Sequence, residues 1–321
     1  MKAIRIHEYG LSDILRYEEA PVPEIKENQV LVKVYATSIN HLDLLKASGT
    51  LKEKMKLDFP WIPGHDFAGT IENAGFENTI FKKGDAVYGN CMGGSFAEYV
   101  AVDIDKVTYK PENLTFIEAA SVPHVAETAW QAVHTHGQLK KGQRVLIHGA
   151  AGAVGAYVVQ FARLVGAEIY TSASGKDEDL LKSLGANVTI DYHTTDFITV
   201  AHDMDLVLVF VGGDTQKRSY SILKKGGRLV STTGPILEDE AKQHEVTGIS
   251  MVIRQNATDL ERISELLTTC DVKTDVAITY ALADAAEGWK LLGGEDPGNQ
   301  QLTHGKIVLE VLKENEVPVV E

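Results

Sequence analysis

The sequence predicts an α/β protein in which a doubly wound parallel sheet, helices on both faces, is inserted into a mainly β domain whose last pieces come from the C-terminus. Three observations predict it. Between residues 118 and 235 strand-like and helix-like segments alternate, and such alternation implies crossover units around a parallel sheet. The stretch HGAAGAVGAYVVQFARLVGA sets Gly149, Gly152 and Gly155 between the apolar run Val145-Leu146-Ile147 and an amphipathic segment. Before residue 110, short alternating segments are separated by Pro and Gly, the texture of a β region.

Taken in order, the β region is carried by VLVKVYAT (30–37), GTIENAG (69–75) and DAVYGN (85–90). The helical EAASVPHVAETAWQAVHTHG follows. Strand RVLIHGA, helix AVGAYVVQFARLVG, strand EIYTSAS, helix KDEDLLKSLG and strand NVTIDY come next, then strand DLVLVFVG, helix TQKRSYSILKKG and strand RLVSTTG. After residue 246 the chain reads as strand GISMVI, helix TDLERISELLTT, strand DVAITYAL, helix DAAEGWKLL, strand GKIVLEV and a polar tail. It contains no internal repeat and no low-complexity segment.

A chain of 321 residues, 44% of them apolar, buries enough surface for two domains. Its net charge of -14 repels phosphate backbones, which argues against nucleic acid or an anionic membrane as principal partner. Cys91 and Cys270 are too few for a disulfide framework or a four-thiolate zinc site, and the start MKAIRIHEYG lacks a secretory apolar core. The expected setting is reducing and cytoplasmic. No stretch approaches the roughly 20 consecutive apolar residues of a spanning helix.

In the order strand, glycine loop, helix, each glycine has a mechanical use. One permits the sharp turn, Gly152 lets a pyrophosphate approach the backbone, and Gly155 lets the helix pack against the strand. Helical N–H groups and the helix dipole then favour the phosphate; the competing use of such glycines is plain packing. The second strand ends in TSASGK (171–176), where an NAD site would carry an acidic residue near Ala173. With none there, nothing repels a 2′-phosphate, and Ser172, Ser174 and Lys176 offer hydroxyls and a cation. NADP(H) is therefore expected over NAD, the alternative for Lys176 being a solvated residue in a first helical turn. The missing carboxylate also counts against a methyltransferase. Tyr220 and Lys224 have the Tyr-x-x-x-Lys spacing of short-chain dehydrogenases, but YSILKKGG leads out of a helix into a strand, and the pair is read as packing.

The segments SINHLDLLKASG (38–49), FPWIPGHDFAGT (59–70), FKKGDAVYG (81–89), AASVPHVAETAWQAV (119–133), RVLIHGAAGAVG (144–155), LKKGGRLVSTTG (223–234) and HGKIVLEV (304–311) together resemble the medium-chain dehydrogenase/reductase superfamily. Within it they resemble the zinc-independent quinone oxidoreductase-like (zeta-crystallin-like) proteins, nearly end to end. The resemblance implies a GroES-like, mainly β catalytic domain from residues 1–120 and 270–321. It implies a Rossmann NADP-binding domain from residues 121–269, an active-site cleft between the two, and a homodimer joined through sheet edges, with GISMVI the candidate edge. The implied activity is hydride transfer from NADPH to a quinone or an α,β-unsaturated carbonyl. The alternatives are an NADPH-binding redox sensor or structural protein with little turnover, and a zinc-type alcohol dehydrogenase.

Zinc alcohol dehydrogenases of this superfamily place a cysteine ligand where this sequence carries Asn40, and their structural zinc needs a close run of four cysteines; neither is present. His65 resembles a zinc-ligating histidine, and His65, Asp66 and Cys91 are the residues a metal would gather. Lacking the first thiolate, the chain is expected to hold no metal. Without a Lewis acid an unactivated alcohol is a hard substrate. A conjugated carbonyl mainly asks the protein to position cofactor and acceptor and to exclude water.

By the same resemblance Asn40 is the catalytic candidate beside the nicotinamide and the acceptor oxygen, with a turn hydrogen bond as its alternative. Asp43 is expected to fix this segment. Thr128 resembles the family threonine near the nicotinamide, against a helix residue bonding to its own backbone. Ala151, Gly152, Ala153, Val154 and Gly155 are expected at the pyrophosphate. Ser172, Lys176 and Tyr192 are expected around the adenosine 2′-phosphate and ribose, Tyr192 having plain packing as its alternative. Phe210, Val211 and Gly212, then Thr232, Thr233 and Gly234, follow later strands at the edge where open α/β sheets bind ligands. LVLVFVGG lacks the acidic residue that related strands carry before their glycines. Lys306 either reaches the cofactor or is an exposed strand-edge charge; His124, the best placed of the histidines for a general acid, is read as packed or solvated, and Cys91 as a structural thiol with a reactive one as its alternative.

Overall fold

Strands β1 (Lys2–Arg5) and β2 (Arg16–Glu19) form an antiparallel pair in a computed structural model that describes residues 1–75, 80–295 and 304–313. In β3 (Gln29–Ser38) buried and half-buried positions alternate before the strand becomes wholly buried, as happens when one half is covered on both faces. Then come α1 (His41–Ala47), β4 (Asp66–Ala74), β5 (Ala86–Asn90), β6 (Tyr99–Asp103), β7 (Val107–Tyr109) and α2 (Phe116–Ala120). Thr115 caps α2, its hydroxyl accepting from the Glu118 N–H while the Glu118 carboxylate accepts from the Thr115 N–H, a reciprocal cap that fixes where the helix starts. Helix α3 (Pro123–Trp130) runs on into a wider π turn over Gln131–His136.

The alternating region follows with β8 (Arg144–His148), α4 (Ala153–Val165), β9 (Glu168–Ala173), α5 (Glu178–Leu184), β10 (Val188–Asp191), β11 (Met204–Val209), α6 (Thr215–Ser219), β12 (Leu223–Ser231), α7 (Glu238–Gln243) and β13 (Thr247–Ser250). Its six strands are parallel in the order β10-β9-β8-β11-β12-β13, a Rossmann sheet whose order reverses between β8 and β11. The expected helix TQKRSYSILKKG is shorter than its pattern: α6 stops at Ser219, one 3₁₀ turn covers Tyr220–Ile222, and Leu223 already belongs to β12. Tyr220 is buried in the core and Lys224 pairs with Asp205 at 3.2 Å, so the Tyr-x-x-x-Lys pair shares no helix face.

The chain then adds α8 (Ala257–Thr268), β14 (Val276–Ala281), α9 (Ala285–Gly293) and β15 (Lys306–Glu310). These join the N-terminal strands in a seven-stranded sheet of order β14-β15-β3-β4-β5-β7, with β6 on the first half of β3. β15 completes the second half, Val308 lying opposite Ser38. Trp289 of α9, 1% exposed, packs edge-on to Phe96 in this unit's core; truncating such a residue costs about 3–5 kcal/mol.

Two compact units result, one from Met1–His124 and Gln255 onward, the other from Val125–Arg254. Residues 121–124 and 255–269, which the sequence assigned to the Rossmann domain, belong to the first. Ser264 of α8 meets the Tyr88 hydroxyl at 2.7 Å, Asn113 donates to the Leu267 carbonyl at 3.0 Å, and the Ser121 hydroxyl meets that of Thr274 at 2.5 Å. The polar tail beyond residue 313 lies outside the described residues. Among the described residues no helix is long and apolar enough to cross a membrane.

Candidate active site

The end of β3 organises a buried polar cluster in the first unit. Asn40 has extended backbone, and its N–H donates to Asp43 Oδ2 at 2.8 Å. Asp43 also accepts from the Gly64 N–H at 2.9 Å and lies 2.6 Å from His65 Nδ1, so it fixes this segment as expected. Burial alone would raise the Asp43 pKa, but the His65 ring and the Asn40 and Gly64 N–H groups hold it below the usual carboxylate value. His65 Nε2 faces Lys46 Nζ at 3.4 Å, and Lys46 also donates to the Met92 carbonyl at 2.6 Å. Burial pulls the Lys46 pKa down, against the pull of Asp43 and Cys91.

Asp66, at the start of β4, is shared more widely. Its Oδ2 accepts from Ser38 Oγ at 2.7 Å and Asn40 Nδ2 at 2.8 Å, and its Oδ1 from the His124 N–H at 2.8 Å. Lys306 is 5% exposed, which rules out the strand-edge reading, and its Nζ donates to Asn40 Oδ1 at 2.5 Å and the Ile39 carbonyl at 2.9 Å. Burial lowers its pKa, with Asp66 and Asp43 opposing. His124 is driven down to about 4 by burial and is neutral, its Nδ1 3.4 Å from Asn90 Nδ2. Burial pushes the Cys91 thiol up to about 12, and it donates to the His65 carbonyl at 3.2 Å.

These residues do not fit a metal. His65 Nε2, the nitrogen a metal would use, faces an ammonium; Asp66 is already shared by three donors, and Cys91 is held as a thiol. Among the described residues no three His, Cys, Asp or Glu side chains gather for an ion.

In the second unit the glycine loop stands at the carboxyl end of β8. Gly149 has φ of +75°, a left-handed conformation that favours glycine. At Gly155 a Cβ would lie 2.3 Å from the Gly149 carbonyl oxygen and 2.6 Å from Ala150 Cα. Gly152 caps α4 without a side-chain bond, and Gly152, Ala153 and Val154 are partly exposed, whereas Ala151 is buried. Ser172 lies inside β9 and holds the loop through its carbonyl, which accepts from Gly149 N at 3.2 Å and Ala150 N at 3.4 Å. Phe210, Val211 and Gly212 follow β11, the strand beside β8; the Thr233 hydroxyl donates to the Val211 carbonyl at 3.1 Å, drawing in Thr232, Thr233 and Gly234. Over Gly212 and Gly234 a Cβ would meet nothing within 4 Å. The loops thus open on the crevice where the strand order reverses, the usual place for a dinucleotide, and they fit one. Thr128 is buried in α3.

Lys176 is exposed in a 3₁₀ turn, and Tyr192 is 58% exposed beside His193, which removes its packing alternative. Asp191 was missed. It closes β10, and its Oδ2 lies 2.7 Å from where a Gly175 Cβ would stand. The end of the strand before Lys176 carries no carboxylate, but its neighbour in the sheet brings one close.

A glycine loop at the switch point of a parallel sheet, with a separate β unit built from both chain ends, is the architecture of a dinucleotide-dependent oxidoreductase. Residues 26–112 match the alcohol dehydrogenase GroES-like domain and residues 184–309 the zinc-binding dehydrogenase family. The chain is 36% identical over 286 residues to 2-methylene-furan-3-one reductase of Solanum lycopersicum, covering 85% of this chain and 70% of the relative. It is 31% identical to the chloroplastic NADPH-dependent alkenal/one oxidoreductase of Arabidopsis thaliana, covering 85% and 71%. The structure of the quinone oxidoreductase from Coxiella burnetii matches with a TM-score of 0.86 at 31% identity, over 97% of this chain and 99% of that one. The chain belongs to the zinc-independent quinone oxidoreductase-like family of the medium-chain dehydrogenases/reductases.

Proposed function

We propose that the protein is an NADPH-dependent reductase of quinones or α,β-unsaturated carbonyls. The observation that carries this reading is its likeness, across most of the chain, to relatives named for enone, alkenal and quinone reduction. NADPH, when bound, supplies the hydride. The main chain of Ala151, Gly152, Ala153, Val154 and Gly155, at the N-terminus of α4, serves the pyrophosphate. Lys176, Tyr192 and the end of β9 at Ser172 serve the adenosine end, Lys176 taking the 2′-phosphate. Phe210, Val211, Gly212, Thr232, Thr233, Gly234 and Thr128 serve the nicotinamide end. Asn40 donates an amide hydrogen to the acceptor oxygen as negative charge grows there.

The test is NADPH oxidation, run beside NADH, on chelator-treated protein with a panel of quinones, enals and saturated aldehydes. Turnover of quinone or enal with NADPH favoured is the expected result. Saturable NADPH binding without turnover would replace this reading with the redox sensor or structural protein. Two further parts of the reading have their own checks. β13 lies at an edge of the parallel sheet and is the proposed homodimer contact, which a sedimentation profile of monomer would overturn. The free thiols Cys91 and Cys270 suit a reducing compartment, and cell fractionation checks the cytoplasmic placement.

A further inference from the structure

We propose that Lys306 is a positioning residue for the reaction: through Asn40 Oδ1 it orients and polarises the amide that serves the acceptor oxygen. The inference rests on the role given to Asn40 above. Register brings the two residues together. Val308 lies opposite Ser38 across the antiparallel β15–β3 pair, so the chain two residues beyond Ser38 faces the chain two residues before Val308. Asp66 flanks Ser38 on the other side, in β4. An ammonium only donates and a carboxylate only accepts. With Lys306 Nζ at 2.5 Å and Asp66 Oδ2 at 2.8 Å, the Asn40 amide has a single orientation: oxygen toward Lys306, nitrogen toward Asp66.

The remaining hydrogen on Nδ2 has, among the described residues, only a long 3.5 Å contact to the Ser38 carbonyl. That is too long for a strong bond, and it leaves this hydrogen as the donor with spare capacity. A cation against Oδ1 draws electron density from the amide and strengthens that donor in a buried setting. The competing account is that Lys306 merely neutralises Asp66, 3.5 Å away.

The experiment compares steady-state kinetics of full-length Asn40→Ala, Lys306→Met and Lys306→Met/Asp66→Asn with a simple enal and NADPH. NADPH affinity is read separately by fluorescence. Asn40→Ala is expected to lose on the order of a hundredfold in kcat, and both Lys306 variants about tenfold or more, since preorganised donors act in the transition state. NADPH affinity and the acceptor KM should stay within about twofold. The double variant buries no lone charge, so it serves if Lys306→Met does not fold. Recovery of wild-type kcat in the double variant, or an unchanged kcat in Lys306→Met, would overturn the positioning role. An unchanged kcat in Asn40→Ala would instead remove the reading of Asn40 on which it rests.

Discussion

His124 and His148 are both shut away from water, and burial pulls each down to about 4 from an ordinary 6.5. The unfolded chain therefore takes up protons first as the pH falls. Stability that is fully present above about 6.5 should decline toward 4, where the folded rings also charge. His148→Leu should flatten this slope, because Ser219 Oγ, 3.1 Å from His148 Nε2, keeps its bond to the Thr215 carbonyl. Urea midpoints at about pH 7 and about pH 5 check it. Asp43 acts lower: its pKa is depressed, so its contribution is lost only as the pH drops through the folded value below 3.8. At the adenosine end, Lys176→Ala should raise the KM for NADPH about tenfold and leave that for NADH unchanged, which parallel titrations check. Lys176 stood out in the sequence because it follows a strand end with no acid. Asp191 did not, since sheet pairing rather than chain order brings it near Gly175, and Lys306 reads in sequence only as a cofactor contact or an edge charge because its partner Asn40 meets it across strands.

Gly155 shows how an element sets a local demand. Its missing Cβ would sit against backbone atoms of Gly149 and Ala150, which have no rotamer to yield. Gly155→Ala should cost about 1–3 kcal/mol in urea denaturation and weaken NADPH binding in a fluorescence titration, because the loop must shift. That glycine was legible from strand–loop–helix order. The end of α6 was not: its polar pattern continues through Lys225, but Leu223–Ser231 pairs with both β11 and β13, and tertiary pairing overrode propensity. α1 also went unread, its few residues fixed mainly by the Asn40–Asp43 bonds. The polar cluster followed the same rule: Lys306 and Asp66 meet Asn40 across strands, a contact with no signature in chain order.

For the molecule as a whole, ligand binding and stability are linked. NADPH at about a hundredfold above its Kd should raise the unfolding free energy of the unit that binds it by about 2.7 kcal/mol, visible as a thermal shift that NADH reproduces only at higher concentration. The alternation of strands and helices foretold the parallel sheet, while the partition of the chain ends depended on pairings at long sequence separation. One of those pairings orders events in time. A ribosome releases the N-terminal strands first, so the half of β3 that pairs with β15 waits with an open edge while Val125–Arg254 is made. The strand that closes this edge also carries Lys306. A nascent chain can therefore gain its cofactor fold well before it gains the ammonium behind Asn40, which arrives only when β15 pairs with β3.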